Sequence, residues 1–368
     1  MKRSFKICCF LLILGYSSTL AKTPFGKKVA ATNAAVSITG RTLTGTDGSV
    51  SFDWGGVYLQ TFFTGGTIAV EMSDTKRDFF NVFIDDVWKE KIEVTGTSPK
   101  IITLAKNLSL GSHKLKLQKS TEGSQGCTTI YGFFPAANGK LGAVVAKKRL
   151  IEMIGDSYSC GYGVEAQSAE DHFKAETEDC NKAYGPIIAS YFDADYVLIA
   201  HSGKGVARNY GDSLQVSPNN MNDLYLRVFD DAGTQPYNFT TYHPNLVTIN
   251  LGTNDYSPGN IPTAQQLADN YLKLIQSVRS HYPSVPVLCI IPHSANKNLT
   301  TALDEVKTRI SKLDKVFMTN PMPDIVTNNY DLGADFHPNY QGQRKIAMTL
   351  IPQISAIMSW PLENKIIK

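Results

Sequence analysis

Four residues able to do acyl-transfer chemistry each sit just beyond an apolar, strand-like run. Ser157 lies in "GDSYS" after "LIEMI" (150–154), and Gly203 in "HSGKG" after "YVLIA" (196–200). Asn254 lies in "GTND" at the end of "LVTINLG" (246–252), and His337 in "DFHP" after "KVFMT" (315–319). A serine hydroxyl becomes a nucleophile when an imidazole takes its proton, and His337 is the histidine best placed to do so. The tetrahedral intermediate also needs fixed donors for its oxyanion. The main-chain N–H groups of Ser157 and Gly203 and the Asn254 amide would supply three, each worth roughly a hundred- to a thousandfold in rate. Ser159 is a weaker rival for nucleophile. Asp156 is read as fixing the turn through its own side chain, and His201 as a structural histidine.

These residues need a scaffold that brings strand ends together. From about residue 147 apolar strands alternate with amphipathic segments, the fourth strand being "VPVLCII" (285–291). Between the third and fourth strands Leu267, Tyr271, Ile275 and Val278 recur at helical spacing, and residues 340–358 are helical again. Strands buried on both faces with helices between them predict an α/β domain with about five mostly parallel strands. Such sheets bind ligands at the carboxyl ends of their strands, where all four residues fall. Tyr162, Tyr256 and Tyr340 lie near them in the sequence and are candidates for substrate-binding residues.

Residues 22–146 read differently. "VYLQTFFTGGTIAVEM", "FFNVFIDDVWKEKIEV" and "IITLAKNLSLGSHKLKLQKS" are each two strand-like runs joined by turn residues, so three hairpins and a β-sandwich or jelly roll are predicted. The boundary with the α/β domain is placed at 146/147, which gives 147–368 as the second domain.

The start of the chain, "MKRSFKICCFLLILGYSSTLA", has a basic opening, an apolar run and a small-residue end. That run is too short for a membrane span of roughly 20 residues, so residues 1–21 are read as a signal peptide for a secreted or periplasmic protein. Export permits disulfides. Cys160 and Cys180 bracket a polar loop that a bridge would stabilise by about 3 kcal/mol, while Cys289 lies in an apolar run as a buried thiol. Seven histidines without HExxH or CxxC predict no metal site, and no cofactor is called for. A net charge of +3 with scattered lysines argues against nucleic acid. A monomer without a membrane span is expected.

The four blocks resemble those of the SGNH hydrolases, or GDSL esterases, whose signature residues are Ser, Gly, Asn and His. The stretches "FDWGG" (52–56), "NLSLGSHKLKLQKSTEG" (107–123), "IEMIGDSYSCGYG" (151–163) and "FHPNYQGQRKIA" (336–347) narrow the likeness to carbohydrate esterase family 2. That resemblance implies a flavodoxin-like three-layer SGNH domain preceded by a jelly roll, and acetyl-ester hydrolysis on plant cell-wall polysaccharides without a metal. The aspartate that most SGNH hydrolases carry three residues before the histidine is Ala334 here, and Asp335 stands two before it. In an extended segment residues two apart point the same way, so Asp335 is expected to complete a triad. A turn there would leave a main-chain carbonyl and a dyad. A short-chain esterase or lipase, and a carbohydrate-binding protein with a repurposed hydrolase domain, stay open as alternatives.

Overall fold

A computed structural model describes residues 25–322 and 324–367. The first part is built on β1 (Tyr58–Thr64), β2 (Ile68–Asp74), β3 (Arg77–Ile84), β4 (Val87–Thr95), β5 (Lys100–Ala105), β6 (Ser112–Lys119) and β7 (Thr128–Pro135). They form two antiparallel sheets. One runs Leu43–Thr44, Val50–Phe52, β7, β2, β5; the other runs Leu141–Gly142, β1, β6, β3, β4. Phe52, Trp54, Phe63, Phe80, Leu115 and Phe133 are fully buried in the layer between them, as two half-apolar faces require.

Only one of the three expected hairpins forms. β3 and β4 pair across Asp85 and Asp86, both at positive φ (54° and 63°), which suits the twist of a two-residue turn. β1 and β2, joined through Gly65-Gly66, enter opposite sheets, as do β5 and β6. A tight turn and a corner between sheets use the same residue types.

The second part contains β8 (Arg149–Gly155), β9 (Ala194–Ala200), β10 (Leu246–Asn250), β11 (Val287–Cys289) and β12 (Val316–Met318), all parallel, in the order β9-β8-β10-β11-β12. Its helices are α1 (Ser157–Cys160), α2 (Tyr184–Tyr191), α3 (Met221–Leu224), α4 (Ala264–His281), α5 (Lys297–Ile310) and α6 (Tyr340–Met358). Leu267, Tyr271, Ile275 and Val278 are the buried stripe of α4, which opens on a Thr263–Gln266 capping box. Helices α4 and α5 pack together on one face of the sheet and α2 and α6 on the other. This is the predicted α/β sandwich. The strand order reverses around β8, so the residues after β8 occupy the crevice where such sheets bind ligands.

Buried polar groups tie the two parts together. Arg41 donates to the Arg227 carbonyl at 2.9 Å, lies 3.7 Å from Glu152 in the middle of β8, and faces the rings of Tyr225, Tyr237 and Phe239. Asp53 accepts from the N–H groups of Asp230, Asp231 and Ala232 at 2.7–2.8 Å.

Candidate active site

The apolar strand β8 ends at Gly155, where a Cβ would sit 2.0 Å from Ser159 Oγ. Asp156 follows as the N-cap of α1, its carboxylate accepting from Tyr158 N–H at 3.1 Å. Ser157 is therefore the first residue of a short helix at the sheet edge. Ser159 is spent on the Tyr184 hydroxyl at 2.9 Å.

Ser157 Oγ lies 2.9 Å from His337 Nε2. Behind the ring, His337 Nδ1 lies 3.1 Å from the main-chain oxygen of Asp335. A carbonyl can only accept, so Nδ1 carries the proton and Nε2 offers its lone pair to the serine hydroxyl. The ring packs against Tyr162, with centroids 4.3 Å apart, and edge-on to Tyr158 at 5.4 Å. Burial lowers its pKa below the usual 6.5. His293, against Tyr158, is pushed down to about 4 by burial and by His337, and stays neutral.

The expected triad is not formed. Asp335 and Phe336 adopt left-handed backbone (φ 49° and 60°) rather than an extended segment. The turn swings the Asp335 carboxylate away from the imidazole and leaves its carbonyl in place. The carboxylate instead accepts from Tyr162 Oη (2.8 Å), Phe173 N–H (3.0 Å) and His172 Nδ1 (3.1 Å), which pins the loop after α1.

That loop also lacks the expected disulfide. Cys160 and Cys180 are both free thiols, and burial raises their pKa values well above the ordinary range. Polar contacts hold the loop instead: Lys91 and Lys182 both bind Glu165, and Glu165 N–H donates to the Thr177 carbonyl at 3.0 Å. Cys289 is a buried free thiol, as read from its apolar run.

Gly203 has φ 79°, a conformation that favours glycine, while a Cβ there would meet only Tyr210 Cβ at 3.8 Å. Backbone conformation, not crowding, calls for glycine. Among the described residues no protein group accepts from the Ser157 or Gly203 N–H. The Asn254 amide donates to the Lys204 carbonyl at 2.9 Å and approaches Asp156 at 3.4 Å. Burial pushes the Asp156 carboxyl up to about 7.

The Gly203 loop is held partly from the β-sandwich part, directly by Glu122 and through Asp230 by Gly123. Ser202 N–H donates to Glu122 at 2.6 Å. His201 Nδ1 lies 2.8 Å from Asp230, which also accepts from Gly123 N–H at 3.0 Å. Burial works against charge on His201, but Asp230 outweighs it and raises the imidazole to about 9. Sequence reading gave no role to Glu122, Asp53 or Asp230. The first two lie in the quoted stretches "STEG" and "FDWGG", which was the only signal they gave.

Of the three tyrosines, Tyr162 stands against the imidazole. Tyr256 donates to the Pro262 carbonyl at 3.2 Å, and Tyr340 opens α6 and lines a groove between the two parts. His337's ring neighbours are Tyr158 and Tyr162, so Tyr158 is a wall residue that the sequence reading passed over. Among the described residues one trio could offer metal ligands, Glu122, Cys160 and Glu178, within 4.8 Å of one another. Glu122 already accepts from Ser202 N–H, and Glu178 accepts from Glu122 N–H at 3.2 Å. Burial and the neighbouring Glu122 drive the Glu178 carboxyl far above the carboxylate range.

This geometry agrees with what the chain is similar to. Residues 38–144 match the carbohydrate esterase 2 N-terminal model, and residues 153–345, more than half of the chain, match the GDSL-like lipase/acylhydrolase family. An acetylxylan esterase / glucomannan deacetylase of Cellvibrio japonicus is 28% identical over 319 residues, covering 83% of this chain and 85% of that protein. The cellulase/esterase CelE of Acetivibrio thermocellus is 29% identical over 314 residues, 83% of this chain but 38% of that longer protein. A family two carbohydrate esterase from Clostridium thermocellum, solved with cellohexaose, superposes with a TM-score of 0.81 at 29% identity over 89% of this chain and 100% of that one. With a serine–imidazole pair at the strand ends and both family models matched in order, the chain belongs to the GDSL hydrolases, in carbohydrate esterase family 2.

Proposed function

We propose that the protein is an exported, monomeric serine esterase that removes O-acetyl groups from plant cell-wall polysaccharides such as xylan or glucomannan. The observation that carries this reading is the 2.9 Å hydrogen bond from Ser157 Oγ to an imidazole whose other nitrogen is fixed by a carbonyl. On this reading Ser157 Oγ attacks the acetyl carbonyl carbon as its proton passes to His337 Nε2. The oxyanion is met by the N–H groups of Ser157 and Gly203, which no protein group engages among the described residues, and by the Asn254 amide as one of its hydrogens turns from its long contact with Asp156. Collapse breaks the ester bond, and the departing sugar oxygen takes the proton from Nε2. Water then gives a proton to Nε2 and attacks the acetyl-enzyme, and acetate leaves as Ser157 Oγ recovers that proton.

The acetyl preference is supported by the naming of the Cellvibrio relative and by the tyrosines that crowd His337. Export is supported by Lys2, Arg3 and Lys6 ahead of the apolar run and by Thr19-Leu20-Ala21 after it; these residues lie outside the described ones. Among the described residues no helix is long and apolar enough to cross a membrane. The test is acetate release from acetylated xylan and glucomannan, followed by NMR. Ser157→Ala is expected to lower it by at least about a thousandfold, and near-wild-type release by that variant would overturn the reading.

A further inference from the structure

A groove of about 560 Å³ runs between the sandwich and the amino end of the edge strand β9. Ser157 follows the carboxyl end of the neighbouring strand β8, so this is not the catalytic crevice. Most of the groove's charges are answered within the protein. Lys114 pairs with Asp86, Lys147 with Asp193 and Lys182 with Glu165, while Asp195 accepts from the Tyr58 hydroxyl and from Lys147 N–H. Lys116 differs. Its ammonium lies over the rings of Tyr58 (4.4 Å), Phe83 (5.3 Å) and Tyr196 (5.5 Å), and among the described residues it has no ion-pair partner. Burial, reinforced by Lys147, pushes it down to about 8 against the opposing pull of Asp195 and Asp86, neither of which pairs with it. Trp88, the next residue across the sheet beyond Phe83, lines the same groove; it is 52% exposed, and its indole N–H is held by Asn81 at 3.0 Å.

A lone cation calls for an anion. An exposed indole in the same groove calls for a ligand with an apolar face, and a sugar ring has one. We propose that this groove is a second carbohydrate site, which takes a hexuronate unit, the carboxylate on Lys116 and the sugar ring against Trp88. The choice of a sugar acid rests on the carbohydrate-esterase reading; the groove and its unpaired cation do not.

The test is titration calorimetry on the Ser157→Ala protein, with a xylotetraose carrying one glucuronate against unsubstituted xylotetraose. A charge-assisted contact predicts about tenfold tighter binding of the acidic sugar. That preference should vanish in Lys116→Met, and Trp88→Ala should weaken the acidic sugar as well. With Ser157 intact, Lys116→Met should still release acetate at the wild-type rate, which shows that it folds. Equal affinities for the two sugars, or a preference that survives Lys116→Met, would overturn the proposal. Failure of the wild-type protein to release acetate would overturn the esterase reading instead, whatever the calorimetry gives.

Discussion

A carbonyl oxygen behind the imidazole differs from a carboxylate in that it neither titrates nor carries full charge. Two predictions follow at the level of single residues. Asparagine tolerates the left-handed backbone of residue 335, so Asp335→Asn should keep the turn and its carbonyl. Its kcat on a small acetyl ester should stay within about tenfold of wild type, whereas losing a triad carboxylate costs about ten-thousandfold. The second concerns pH. The base must be neutral, and burial lowers the pKa of His337, so activity is lost only as pH falls through that lowered value. The acid limb of kcat/KM should have its midpoint below 6.5, measurable on a chromogenic acetate. Ser157, Gly203, Asn254 and His337 could be found from the sequence because each is a chemically distinctive residue at a strand end. The handedness of the backbone at Asp335 could not, since aspartate is compatible with both an extended segment and a left-handed turn.

Among the elements, the loop from His201 to Lys204 decides where the Gly203 N–H points, and Glu122 holds it through Ser202 N–H. Burial opposes the Glu122 charge, but His201 and the Ser202 N–H hold its carboxyl below the usual range. Glu122→Ala should lower kcat by about tenfold to a hundredfold with little change in KM, as expected when an oxyanion donor is mis-aimed rather than substrate lost. Glu122→Gln keeps an acceptor oxygen and should restore most of the rate; steady-state kinetics of the two variants side by side checks this. The five parallel strands were legible because apolar runs and helical stripes have distinct periods. The sandwich was legible as a class but not in its connections. Gly65-Gly66 and Gly111 look like hairpin turns, yet whether the next strand pairs with its predecessor or crosses to the other sheet depends on packing between sheets.

For the whole molecule, the joint between the two parts is held by ionised and polar groups taken out of water. Arg41→Met should leave Glu152 buried without its cation and cost about 3–5 kcal/mol in urea denaturation. Adding Glu152→Gln should recover part of that loss, because no uncompensated charge then remains. Contacts of this kind join residues more than a hundred positions apart, such as Arg41 to Glu152 and Asp53 to Asp230. No local pattern announces them, which is why the sandwich read as an appendage. The hydrogen bond that Glu122 accepts from the Gly203 loop, and the one Gly123 gives to Asp230 behind His201, give it another standing. Every reacting group belongs to the C-terminal part, yet the aim of one oxyanion donor is set partly by the β-sandwich part. A designer who grafts residues 147–368 onto a different binding module would transplant the nucleophile and its base but leave part of the machinery's alignment behind.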